Sequence, residues 1–256
     1  MKKLFFLFYL ISISSFSQIE TTAYKSGEFL KYKINYGLLN AGFMSLELNS
    51  VHKDNKDLFH VNGKGWTTGF TDMIFPVDDN YQTYFDKNTL QPHHFIRIIS
   101  EGGHVKNKEI FFDFTKHYAK VIDHKRKTDQ SYFIQNNIND MLSSLYYLRN
   151  LDLNKFKPND VLTIDMFYDN QVNKIQLRFI ERTVIKTKFG NVRAIHLKPF
   201  VEVGRIFDES ESVSIWITDD KNKIPLKIKA SVLVGSIKAE LIEYKGLANS
   251  FPIIFN

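Results

Sequence analysis

The chain has 256 residues, with 34 Lys and Arg against 28 Asp and Glu, and no cysteine. A hydrophobic share of 43% supports a real core and excludes wholesale disorder. The missing cysteine excludes disulfides, Cys-ligated zinc, iron–sulfur clusters and a thiol nucleophile.

Met1 to Ser17 has the pattern of a secretory signal. Lys2 and Lys3 form the positive start, and Leu4 to Ile11 is an unbroken apolar run. Ser15 and Ser17 are the small residues a signal peptidase reads, so cleavage is expected between Ser17 and Gln18. The run is too short to span a bilayer. No cysteine follows it that could carry a lipid anchor. The expected location is the periplasm or cell envelope, and residues 18–256 are expected to form a single β-rich domain. That domain divides into two half-sheets joined near residues 150–160.

Most of the remaining chain alternates with a period of two, as half-buried antiparallel strands do. Leu30, Tyr32, Ile34 and Tyr36 share one face, with Lys31, Lys33 and Asn35 on the other. Met44, Leu46 and Leu48 follow after the turn-like stretch Gly37 to Gly42, which predicts a hairpin. Phe59 with Val61, Ile110 to Phe114 and Tyr118 to Asp123 continue the pattern. His124 to Lys127 reads as a solvated turn rather than a polyanion site. In the second half Val161 to Tyr168, Ile175 to Lys188 and Val192 to Val203 are extended, and Pro199 places an edge or bulge in the last. Val213 to Ile217, Ile224 to Ile228 and Ile237 to Tyr244 complete a meandering antiparallel sheet, mainly β, curled or barrel-like.

One segment, residues 139–150, breaks the rhythm. Asn139 or Asp140 suits a helix N-cap, and Met141, Leu145 and Leu148 form an apolar stripe widened by Leu142 and Tyr146. This amphipathic helix is expected to pack on the sheet or plug one end of it. Gly65 to Val77, with Trp66, Phe70, Met73, Ile74 and Phe75, reads in two ways. It is a buried loop or extra strand that closes the core, or an apolar lip facing a ligand, membrane or partner.

Motifs for nucleotide binding, zinc proteolysis and serine hydrolysis are missing, and Gly63-Lys64-Gly65 is too short for a phosphate loop. His93 and His94 would face opposite sides of a strand and cannot jointly grip a metal. Asp219-Asp220 reads as a turn, and Asp78-Asp79 less clearly so. The basic excess is small and carries no recognised nucleic-acid motif, so nucleic acid is not an expected partner.

Several blocks together resemble a family of exported bacterial proteins known as domain of unknown function 3108. They are Gly27 to Gly37 with Ala41-Gly42, Asp79 to Asp86, Asp140 to Arg149, Trp216 to Leu226 and Val234 to Leu241. The Ser-Phe-Ser-Gln signal ending is similar to those of the Bacteroidetes lineage. The resemblance implies an envelope location and a mostly antiparallel fold similar to the curled sheets of lipoprotein carriers. It implies no catalytic residues.

The reading favoured by these observations is a non-enzymatic envelope protein that binds an apolar or lipid-like molecule in a groove of its sheet. An alternative is an assembly factor that docks a partner protein through Trp66 to Val77. A lesser one is a glycan hydrolase using Asp78 or Asp79 with Glu101 or His104, which needs carboxyl groups facing each other at about 5–9.5 Å. Candidate contact residues are Trp66, Phe70, Phe75, Asp79, Tyr81, Tyr84, Arg149 and Trp216. Arg149 is also a candidate to pair with Glu28 or Asp79. No cofactor or metal is expected.

Overall fold

The computed structural model describes residues 23–200, 213–232 and 235–254. The expected signal segment and its Ser17–Gln18 cleavage point lie outside the described residues, as do Val201 to Val203.

The first half runs β1 (Glu28–Tyr36), β2 (Leu39–Lys53), β3 (Lys56–Thr67), α1 (Gly69–Ile74), β4 (Asp78–Asp86), β5 (Pro92–Glu101), β6 (His104–Asp113), β7 (Tyr118–Asp123) and β8 (Thr128–Phe133). After α2 (Met141–Asn150) come β9 (Val161–Tyr168), β10 (Gln171–Thr187), β11 (Gly190–Phe200), β12 (Val213–Thr218), β13 (Pro225–Ser231), β14 (Ser236–Lys245) and the short β15 (Ile253–Ile254). All lie in one sheet with the order β8-β7-β6-β5-β4-β3-β2-β1-β14-β13-β12-β11-β10-β9, and β15 pairs with β11. Two antiparallel meanders therefore meet where β1 pairs with β14, with Tyr36 opposite Ile237 and Leu30 opposite Tyr244.

The sheet curls but does not close. Phe167 of β9 meets Phe112 of β6 edge-on at 6.2 Å and Tyr132 of β8 at 5.8 Å. Strands at opposite ends of the order thus touch through side chains without forming a ladder. Asn139 fills part of the gap, pairing in parallel with Met166 of β9. Pro199 sits opposite Leu177 of β10, while the register of β11 with β12 covers only Ala194 to Leu197. Pro199, which has no N–H to give, thus lies beyond the β12 ladder.

The period-two alternation sends Leu30, Leu48, Val61, Phe85, Phe95 and Phe112 into one core on the concave side. A second core gathers Ile164, Leu177, Phe179, Leu197 and Ile217 from the other meander. Helix α2 joins them, giving Leu142 and Tyr146 to the first and Leu148 to the second. Its most buried side chains follow Leu142, Tyr146 and Arg149, with Met141 and Leu145 only half-buried. The buried face is rotated from the predicted Met141–Leu145–Leu148 stripe because the helix lies inside the curl and its polar Arg149 has a partner there.

That partner is Glu28. Arg149 and Glu28 are both fully buried and form a two-pronged ion pair, Nη1 to Oε1 at 2.6 Å and Nη2 to Oε2 at 2.7 Å. Arg149 also donates to the carbonyls of Asn222 and Ala23, at 2.9 and 3.2 Å. The rings of Tyr24 and Tyr146 flank the guanidinium at 5.3 and 5.1 Å. At the other end of α2, the Asp140 carboxylate accepts from the backbone N–H groups of Leu142 and Ser143, both at 2.8 Å, and from Thr83 Oγ1 on β4. This N-cap is worth about 1 kcal/mol by itself. The helix is therefore fixed at both ends to the first meander.

Removing one partner of a buried pair leaves an uncompensated charge, so Arg149→Met is expected to cost about 3–5 kcal/mol. Glu28→Gln added to Arg149→Met recovers part of that loss, because the charge is gone. Recovery stays incomplete, because the carbonyls of Ala23 and Asn222 still lack their donor. Urea unfolding of the three variants measures both differences.

Candidate functional site

A half-open cavity of about 350 Å³ lies between the first meander and α2. Its walls are almost wholly apolar, with Ile34, Met44, Leu46, Met141 and Leu142 prominent among them. Three glycines border it, and each has a different job. A Cβ on Gly42 would strike the Trp66 carbonyl oxygen, so that residue permits close strand approach. A Cβ on Gly63 would lie 3.1 Å from Leu46 and 3.7 Å from Leu142, so its bareness lets α2 settle on β3. A Cβ on Gly65 would meet only the Asp79 Cβ, at 3.8 Å. Nothing fills the room in front of Gly65, and the cavity is there. In β3 the inward positions read Phe59, Val61, Gly63, Gly65, so the core tapers from large side chains to none.

A polar margin adjoins this void. Asp79 and Tyr81 of β4 line it. Asp79 accepts from the backbone N–H of Ser100 at 3.1 Å. Burial, together with the charge and direct contact of Glu101, raises its pKa to about 6. Arg97 of β5 stands 5.8 Å from the centre of the Tyr81 ring and 4.8 Å from that of Tyr168, and pairs with Asp169 at 3.1 Å. Its Nε is buried without a hydrogen-bond partner.

The eight candidate contact residues divide into four groups. Asp79 and Tyr81 line the cavity from inside the curl, while Trp66 borders it from β3 with its ring turned to the other face against Phe43. Phe70 on α1 and Phe75 just after it are exposed. The segment containing them is therefore a short helix carrying an apolar lip, not a buried loop or extra strand. Tyr84 faces away from the core, stacked between His60 at 4.3 Å and His94 at 5.7 Å. Trp216 is likewise stacked on His196 at 4.6 Å, with Lys227 above it. Arg149 is sealed inside against Glu28, not Asp79, and does not reach the cavity. Sequence reading missed Gly63 and Gly65 as cavity makers, although their i, i+2 spacing in a strand was the available signal.

The two tryptophans, far apart in sequence, share one cross-strand row. His196, Trp216, Lys227, Glu240, Lys33, Phe43 and Trp66 follow one another in register across seven strands. The row is held by neighbour pairing, with Phe43 and Trp66 at 5.9 Å and Lys227 with Glu240 at 3.7 Å. Of the acidic pairs, Asp220 accepts from the N–H groups of Asn222 and Lys223, which is the expected turn. His93 and His94 go to separate partners, Asp54 and Glu109. Asp79 and Glu101 are in direct contact.

Fold and cavity together define a curled, unclosed antiparallel sheet wrapped around one internal helix. Residues 31–242 match the family described as protein of unknown function DUF3108, and the chain belongs to that family. No curated protein matches the chain. A crystal structure of a β-barrel-like protein of domain of unknown function DUF1849 from Brucella abortus shares the fold. It has a TM-score of 0.60 and 12% identity, covering 87% of this chain and 99% of that one. A Bacteroides fragilis protein described as exported, with a YmcC-like fold, overlaps less well. Its TM-score is 0.35 at 9% identity, over 87% of this chain and 97% of that one. No helix among the described residues is long and apolar enough to cross a membrane.

The raised pKa of Asp79 has a definite sign. Between the ordinary value of 3.8 and about 6 the folded state holds a proton that the unfolded state has released. Stability therefore falls as pH rises through that window and is level above it. Asp79→Asn keeps an acceptor for Ser100 and removes the charge, so it is expected to stabilise at pH 7. The gain is roughly 1 kcal/mol after allowance for solvent screening. The decline between pH 4 and 6 becomes shallower but persists, because burial also raises Asp140 to about 6. Thermal unfolding across pH measures both effects.

Proposed function

We propose that this is an exported, non-enzymatic envelope protein that binds an apolar or lipid-like molecule in the cavity beside α2. The observation that carries the reading is the void in front of Gly65, walled by apolar side chains where a folded core would normally be filled. Its volume of about 350 Å³ falls in the range of small-ligand pockets. Asp79 and Tyr81 offer polar contacts at its margin, suited to the head of a molecule whose tail is apolar. Export rests on the Met1 to Ser17 pattern. A second reading, docking of a partner protein through Trp66 to Val77, is favoured by the exposure of Phe70 and Phe75. It does not account for the unfilled interior.

Gly65→Leu tests the proposal with little risk to the fold. The backbone there needs no positive φ, and the new side chain points into open space. Replacing a strand glycine contributes roughly 0.5–1 kcal/mol of stability. Native mass spectrometry of the chain purified from its own envelope should show a stoichiometric apolar adduct. Gly65→Leu should lose that adduct while its melting temperature holds or rises. A clean protein mass, or an adduct undiminished in Gly65→Leu, would sink the reading.

A further inference from the structure

The antiparallel order places the β1–β2, β3–β4, β5–β6, β7–β8 and β13–β14 connections at one end of the strands. Most of the exposed large apolar side chains among the described residues are at this end. Leu38 and Leu39 are 103% and 61% exposed on the β1–β2 turn. Phe70, Met73 and Ile74 are 69%, 83% and 66% exposed on α1. These are not frayed tips. The N–H of Thr68 donates to the Ala41 carbonyl at 3.2 Å, tying the start of α1 to β2. The N–H of Gly102 donates to the Pro76 carbonyl at 2.8 Å. The Phe75 ring lies directly over Gly102, whose φ of +53° and crowding together exclude a side chain. The backbone is thus pinned on both sides while its apolar side chains stay in water.

A basic group borders them at the same end. Lys125, Arg126 and Lys127 are exposed on the β7–β8 turn and Lys106 flanks it on β6, while Lys108 is turned to Asp123 at 4.0 Å. Asp78 and Glu101 also lie at this end, and three other acids there have partners. Asp123 accepts from the N–H of Arg126 at 2.9 Å, Asp169 pairs with Arg97, and Asp72 accepts from Thr67 Oγ1 at 2.7 Å.

We propose that this end of the curled sheet docks onto a lipid bilayer containing anionic headgroups, with Leu38, Leu39 and α1 entering the interface. Apolar side chains beside a basic collar are the combination that binds such a surface, one part by burial and the other by charge. The shape agrees. The apolar groups sit on separate projecting connections, and Leu38 touches no neighbour, which suits a fluid surface better than a flat protein patch. The residues at which these projections join the sheet, Ala41, Thr67 and Val77, also line the cavity. The docking stands on the rim alone and does not require the cavity to be occupied.

The test is flotation of the chain from Gln18 onward, which contains every described residue, with phosphatidylcholine vesicles with and without phosphatidylglycerol. Binding is expected with the anionic vesicles and should weaken as salt rises. Phe70→Glu with Ile74→Glu should weaken it by about tenfold or more on the cost of placing charge at the interface. Lys125→Glu with Lys127→Glu should remove the preference for anionic lipid, by about tenfold or more on the value of each basic residue near such a surface. These positions are exposed, so unchanged circular dichroism and melting temperature serve as the check on folding. Gly65→Leu should bind vesicles as the unaltered chain does, even where its apolar adduct is lost, so the two proposals fail separately. Absence of vesicle binding, or binding indifferent to the rim variants, overturns the proposal. So does crosslinking from Phe70 to one defined envelope protein without vesicle binding.

Discussion

The Arg149–Glu28 pair is the constraint on which the arrangement of this protein turns. Two charges taken wholly out of water gain little stability over an apolar pair of the same shape. What the pair specifies is position. Glu28 opens β1, the strand through which the two meanders join, and Asn222 closes the turn between β12 and β13. Arg149 binds both, and the Ala23 carbonyl as well, so the end of α2 has one depth and one rotation inside the curl. Asp140 fixes the other end on Thr83. With both ends set, Leu142 comes to rest against Gly63, and the inner limit of the cavity follows.

The cavity is then a matter of side-chain arithmetic along β3. Large residues face inward at Phe59 and Val61, and glycines face inward at Gly63 and Gly65. Helix α2 occupies the first vacancy and cannot reach the second, because its N-terminus is held at Asp140. A leucine or valine at Gly65 would have filled the core in the usual way and improved the strand. Gly65 leaves this space open, and the polar groups Asp79, Glu101 and Arg97 lie at its margin. Asp79 bears the cost of that location in its raised pKa.

Much of this is legible in the residues themselves. Period-two alternation located the strands, since a half-buried pleat requires it, and Asp140 announced the start of α2 because orphan amides need an acceptor. Arg149 with Glu28 was one of two pairings open to reasoning about charge. Three things were hidden. The α1 helix has no apolar stripe, because it buries nothing, so periodicity could not reveal it. The buried face of α2 depended on where Arg149 found its partner, which is a long-range fact. Gly63-Lys64-Gly65 is too short for a phosphate loop, and its glycines become a cavity floor only when taken as alternate residues of one strand. Trp66 and Trp216 share a row only through the β1–β14 junction, which joins segments from opposite ends of the chain.

The two proposals meet in a question of transfer. Exposing an acyl chain to water costs about 0.8 kcal/mol per methylene, so a chain of about twelve would face roughly 10 kcal/mol on leaving a bilayer freely. A protein that binds such a molecule gains nothing from a good cavity if its ligand must first cross water. If both proposals hold, a rim and a cavity at one end would shorten that crossing, because Ala41, Thr67 and Val77 belong to both. A pinned rim suits the same proposal. A backbone already held in place has less freedom left for docking to take from it, although the exposed side chains keep theirs. The pins on α1, Gly102 under Phe75 and Ala41 under Thr68, thus hold the rim in the place the docking proposal needs.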